Sequence, residues 1–129
     1  MAPSGGGELS RVRRILVVED EALVSMMLED MLTDLGYEIV GPATRVARAI
    51  ELLDQEKIDG AILDVNVAGE QVYPVADALA ERGIRFAFVT GYGTSGLAKL
   101  YADRPTLNKP FSLVDLGALL RREILGTRK

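Results

Sequence analysis

The chain has 129 residues, 48% of them hydrophobic and 26% charged, which suits one domain with a real core and is too short for a second of ordinary size. A formal net charge of -4 offers no surplus of positive charge to hold phosphate backbones, so nucleic acid binding is not expected. The absence of cysteine and histidine excludes a disulfide framework, a thiolate metal site, an imidazole-based catalytic pair and a phosphohistidine, leaving chemistry to carboxylates, hydroxyls and lysine.

Residues 1–10, with Gly5, Gly6 and Gly7 in a row, lack the apolar surface to order themselves and read as a disordered tail. They also lack the apolar centre of a secretory signal. No apolar run approaches the roughly 18 residues a membrane helix needs, so a cytoplasmic location with no membrane contact is expected. From Arg13 the pattern changes to RRILVVED, an apolar, β-branched run closed by acids, as in a central parallel strand covered on both faces.

A helical face of Val24, Met27, Leu28, Met31 and Leu35 follows, with Gly36 placed to stop it. Met26, Met27 and Met31 are expected to pack within it, while Arg11, Arg13 and Arg14 read as a solvated edge. YEIVG forms the second strand, ending in Gly41 and Pro42, and Val46, Ile50 and Leu53 mark the second helix. GAILDV is the third strand, and a helix with Val72, Val75, Ala76 and Leu79 runs towards Gly83. IRFAFVT is the fourth strand, followed by a short helix from Ser95 to Tyr101. PTLNKP holds the fifth strand, and Leu113, Leu116, Leu120 and Ile124 line a last helix that begins at Ser112, spaced from Asp115 as in a capping box.

Five β-α repeats imply an α/β fold with a doubly wound, five-stranded parallel sheet and right-handed crossovers. Residues 11–126 form the domain, with a short tail at 127–129. In such sheets ligands sit beyond the carboxyl ends of the strands, where the strand order reverses. In the order 2-1-3-4-5 the neighbouring first and third strands bring Glu19 and Asp20 together with Asp64, flanked by Thr90 from the fourth strand and Lys109 after the fifth.

Carboxylates at about 4 Å repel by about 4 kcal/mol per pair at an effective dielectric of about 20. A hard divalent cation relieves this, and magnesium takes one or two carboxylates, waters and a phosphate oxygen. Asp20 and Asp64 are the expected direct ligands, with Glu19 acting through water and the backbone carbonyl of Asn66 completing the set. Lys109 and Thr90 are then placed to hold the oxygens of a phosphoryl group arriving at Asp64.

At these residues the chain resembles the receiver domain of two-component response regulators, from Arg13 to about Leu125. The acidic pair Glu19 and Asp20 in VVEDE, the acid in ILDVN, the threonine in FVTGYG and the lysine in NKPF stand in the family's order. The resemblance implies a flavodoxin-like (βα)5 fold and a phosphoacceptor at Asp64. It further implies that Glu19 and Asp20 organise Mg2+, that Thr90 and Lys109 read the phosphoryl group, and that the peptide before Pro110 is cis.

FVTGYG and PFSLVDL are similar to the motifs of the FAT GUY group of receivers, with Val89 in place of the usual alanine. The family's usual switch aromatic, three residues before the lysine, is Thr106 here, which directs attention to Tyr92 or Phe111 as readers of the signal. The resemblance implies a signalling module rather than a metabolic enzyme, with a sensor histidine kinase or histidine phosphotransfer protein as phosphodonor and a downstream protein as partner, and with only residues 126–129 after the last helix a stand-alone receiver is expected. Phosphorylation is expected to pull Thr90 inward and to reshape the surface of the fourth helix, fifth strand and fifth helix.

Three alternatives are weaker on the residues themselves. Gly91, Gly93 and Gly96 follow a dinucleotide-binding spacing, but that loop belongs after a first strand, and this one follows the fourth. A phosphohydrolase using an aspartyl phosphate wants a second acid two residues beyond its nucleophile, where Asn66 stands. A flavodoxin-like flavin carrier needs a phosphate-binding loop where the first strand ends in acids. A pseudo-receiver that binds its partner without phosphorylation remains the binding-only rival, and the intact set of five residues argues against it.

Overall fold

The computed structural model describes residues 12–91, 97 and 101–124. In chain order its elements are β1 (Arg14–Val18), α1 (Ala22–Asp34), β2 (Glu38–Ala43), α2 (Val46–Gln55), β3 (Gly60–Asp64), β4 (Asn66–Val67), β5 (Glu70–Gln71), α3 (Tyr73–Glu81), β6 (Phe86–Thr90), β7 (Thr106–Asn108) and α4 (Leu113–Leu119), which continues as a π-helical turn over Leu120–Ile124. The main sheet runs β2-β1-β3-β6-β7, parallel at every pairing, which is the order 2-1-3-4-5 expected of the five apolar runs.

Side chains alternate across a strand, so one run of consecutive apolar residues feeds two cores. Leu16 and Val18 of β1 face α2 and α3, packing with Leu52, Val75 and Leu79. Ile15 and Val17 face α1 and α4, packing with Leu28, Leu32, Leu116 and Leu120. Both faces of the sheet are therefore covered, and chemistry is confined to its ends.

Several helix ends follow their sequence signals. Gly36 and Gly83 take φ +92° and +70° just past α1 and α3, a region open to glycine. Ser112 caps α4, its hydroxyl accepting from the Asp115 N–H at 3.1 Å while the Asp115 carboxylate accepts from the Ser112 N–H at 3.2 Å.

Other expectations are corrected. The buried residues of α1 are Ser25, Leu28 and Leu32, so the face is rotated from the one drawn through Met27. Met26 and Met27 are 59% and 37% exposed rather than packed, and Met31 is partly buried against the core. The polar Ser25 takes an inward position because its hydroxyl donates to the Glu19 carbonyl at 3.4 Å. Arg14 is not a solvated edge: its guanidinium pairs with Glu38 and Glu56, and its N–H donates to Asp59 at 2.8 Å. The expected tails, the glycine loop from Tyr92 to Gly96, most of the helix ending at Tyr101, and Arg11 lie outside the described residues.

Two features had no sequence signal. Strand β2 runs on to Ala43 through Gly41 (φ +101°) and a cis Gly41–Pro42 peptide, with a register shift against β1. An antiparallel hairpin, β4 with β5, turns through Ala68 and Gly69 at φ +53° and +83° before α3.

Candidate functional site

The carboxyl ends of β1, β3 and β6 and the residue after β7 meet at one edge of the sheet. The extended β2 places Glu19, whose N–H donates to the Ala43 carbonyl at 2.9 Å. A side chain at Gly41 would press on the Ala43 N at 2.7 Å and the Val17 carbonyl at 3.0 Å, so glycine is needed where the two strands draw together. Asp64 closes β3 and Thr90 closes β6. Lys109 is tied beside them through its N–H, which donates to the Thr90 carbonyl at 2.9 Å, and its peptide to Pro110 is cis, as the resemblance implies.

Oxygens of Glu19, Asp20 and Asp64 lie within 4.8 Å of one another. The Lys109 Nζ faces them at 3.5 Å from Asp64 Oδ2 and 3.6 Å from Glu19 Oε1. Thr90 is 4% exposed. With Asp20, Glu21, Asp64, Asn66 and Lys109 it borders a cavity of about 580 Å³. All the residues expected at the site are thus brought to one place.

Electrostatics sets these groups apart. Glu19 is 1% exposed; its Oε2 accepts the Glu21 N–H at 3.1 Å, while its Oε1 has no hydrogen-bond partner among the described residues. Burial, with the neighbouring Asp64, pushes the Glu19 carboxyl up to about 7, against the Glu21 N–H and Lys109. Burial pulls the Lys109 ammonium down, but the carboxylates of Asp64, Glu19 and Glu21 outweigh it and hold it above its ordinary value. Among the described residues, four carboxylates stand around one ammonium and one buried carboxylate oxygen is orphaned, the oxygen-only, electron-rich donor set that suits a hard divalent cation.

Two contributors escaped the sequence reading. The main-chain N–H of Ala68, at the tip of the hairpin, donates to Asp20 Oδ2 at 2.9 Å; a two-residue turn leaves no periodicity to detect. Glu21, the third acid of VVEDE, sends its Oε1 to within 3.2 Å of Lys109 Nζ. Phe111, considered as a reader of the signal, is 8% exposed and borders a small apolar groove with Val24, Met27 and Pro110. Tyr92, considered beside it, lies outside the described residues. Tyr101 stacks on Tyr73 at 5.7 Å and packs edge-on against Phe86 and Phe88.

Comparison with known proteins agrees with this geometry. The response regulator receiver domain model matches residues 15–121. Transcriptional regulatory protein PdtaR of Mycobacterium tuberculosis is 35% identical over 118 residues, covering 88% of this chain and 58% of PdtaR, so the chain spans somewhat over half the length of that curated relative. Among solved structures, SdrG from Sphingomonas melonis Fr1 is similar with a TM-score of 0.77 and 44% identity over 84% of this chain and 93% of SdrG. The BeF3-activated conformation of SdrG is similar with a TM-score of 0.73 and 44% identity, covering 83% of this chain and 92% of SdrG.

Proposed function

Because this chain belongs to the response regulator receiver domain family, we propose that it takes a phosphoryl group onto Asp64 from a phosphohistidine and thereby alters its binding to a downstream protein. Receiver domains are signalling domains of bacterial two-component systems, and the donor here is a sensor histidine kinase or a histidine phosphotransfer protein. The observation that supports the reading most directly is the placing of Lys109 Nζ 3.5 Å from Asp64 Oδ2 beside two further carboxylates. An ordinary turn acid has no need of that company.

In the transfer, an Asp64 carboxylate oxygen attacks the phosphorus of the donor's phosphohistidine. The new O–P bond forms as the P–N bond breaks, and the imidazole, protonated on its other nitrogen, leaves with that electron pair as a neutral ring. The Lys109 ammonium binds a phosphoryl oxygen as charge shifts onto it, and the Thr90 hydroxyl holds another. Magnesium, when bound by Asp20, Asp64 and the Asn66 main-chain carbonyl, with Glu19 acting through water, supplies positive charge to the same oxygens. The signal then passes from Thr90 along β6 and β7 towards α4.

The test is to mix the protein with Mg2+ and acetyl phosphate and to locate any hydroxylamine-labile adduct by mass. Label is expected on Asp64 and is expected to vanish in Asp64→Asn. Label that persists undiminished in that variant removes the reading. An unlabelled parent that still binds its partner supports the phosphorylation-independent alternative.

A further inference from the structure

Glu21 occupies the N-cap position of α1, yet its side chain makes no capping hydrogen bond. Serine, threonine, aspartate or asparagine is the usual residue there, because a short oxygen-bearing side chain reaches the free N–H groups of the first turn. The longer Glu21 carboxylate turns instead towards the site, borders its cavity, and lies 3.2 Å from Lys109 Nζ. That is nearer than Asp64 at 3.5 Å or Glu19 at 3.6 Å.

An ammonium has three N–H donors and no acceptor. Lys109 donates to Glu21 and Asp64 and stands within ion-pair distance of Glu19, so an arriving phosphoryl oxygen competes with these carboxylates for its ammonium. Glu19 is held in the interior at 1% exposure and Asp64 is 12% exposed, whereas the Glu21 side chain is 63% exposed and has water to return to. It is the partner that leaves at the lowest desolvation cost.

The geometry points to Glu21 as a positioning residue that restrains Lys109 in the resting state and competes with the phosphoryl group for its ammonium. This rests on the phosphoacceptor reading above and adds a regulator of the same site. Glu21 sets how readily the site takes a small phosphodonor, whose binding depends on the lysine, without touching the phosphorus itself. It is a brake whose strength is one exposed ion pair, and it is relieved by the arriving anion.

Two variants separate this role from a general effect of negative charge. Glu21→Gln removes both the charge and the hold on Lys109. Glu21→Asp keeps the charge but draws it back towards the first turn of α1, where aspartate caps well. Initial rates of labelling with acetyl phosphate and Mg2+, and BeF3- affinity read from amide spectra, are measured for the parent and both variants.

Glu21→Gln is expected to label and to bind BeF3- about 1.5- to fivefold better, the range of about 0.2 to 1 kcal/mol that an exposed pair commands, and Glu21→Asp is expected to move most of the way with it. Glu21→Gln at or below the parent overturns the inference. So does Glu21→Asp remaining at the parent value while Glu21→Gln rises, since the effect is then one of charge alone. Either result leaves the parent's labelling at Asp64 intact, so the proposed function survives it; a parent that takes no label on Asp64 defeats both.

Discussion

Glu19 Oε1 stands 3.6 Å from Lys109 Nζ, inside ion-pair distance, and still has no hydrogen-bond partner among the described residues. A buried carboxylate in that position is poorly solvated, and its affinity for a proton rises from 4.5 to about 7 for the same reason.

The sign of the resulting pH dependence is fixed. Glu19 keeps its proton in the folded state over a range where the unfolded chain has lost it, so its contribution is complete below pH 4.5 and is lost as the pH rises through about 7. The metal-free protein is expected to lose at most about 3 kcal/mol over that window through this group. Glu19→Gln is expected to flatten this part of the profile and to be the more stable form at pH 8. Urea unfolding at pH 5 and pH 8 without divalent ions checks it; parallel profiles for parent and variant contradict it.

Magnesium is expected to reverse the same loss, because a cation favours the ionised form. Stabilisation at a hundredfold excess over the dissociation constant is about 2.7 kcal/mol. Asp20→Asn is expected to abolish most of this gain while folding normally, since Asp20 is exposed and its amide replacement still accepts the Ala68 N–H. Thermal melts of both proteins with and without Mg2+ decide the point, and an undiminished shift in the variant places the ion elsewhere.

Gly60 begins β3 where the chain passes under the last turn. A methyl there meets the Ile124 side chain, with Ile15 Cδ1 at 3.5 Å and the Arg85 carbonyl at 3.6 Å behind it. Gly60→Ala is expected to cost about 1–3 kcal/mol by overpacking. Ile124→Ala, itself destabilising, makes the space, so the double variant should be more stable than the sum of the two losses. Denaturant melts of all four proteins measure that coupling, and simple additivity would show that the two positions do not meet.

Tyr101 donates its hydroxyl to Asp77 on α3, while its ring lies within the aromatic group of Tyr73, Phe86 and Phe88 and Arg104 stacks over Phe86 at 4.6 Å. Burial, reinforced by the Asp77 carboxylate, pushes its hydroxyl up to about 12. Tyr101→Phe keeps the ring and loses the bond to a charged group, at an expected cost of about 1.5 kcal/mol. Absorbance titration should lose its most alkaline tyrosine transition in the variant; loss of an earlier one instead would remove the assignment.

The sheet was legible because its strands are buried on both faces and stand out as unbroken apolar runs between helical periods. The chemical edge was legible for another reason: Glu19, Asp20, Asp64, Thr90 and Lys109 each end or follow one of those runs, so topology alone gathers them. What escaped depended on short or mixed signals. Ser25 lies inward with its hydroxyl donating to a carbonyl, which hydropathy cannot reveal, and Met27 stands at the surface. Arg14 sits among acids contributed by Glu38, Glu56 and Asp59, distant in sequence. Glu21 carries no signal of its own in the sequence, and only its distance to Lys109 gives it a separate role.

The hold on Asp20 comes from the peptide N–H of Ala68, presented by a left-handed φ of +53°. A main-chain donor is indifferent to side-chain identity, so the outward-facing Glu70 and Gln71 of the same hairpin can drift in evolution without loosening the acid beneath them. The acid is thereby tied to the shape of the hairpin and not to the chemistry of its side chains.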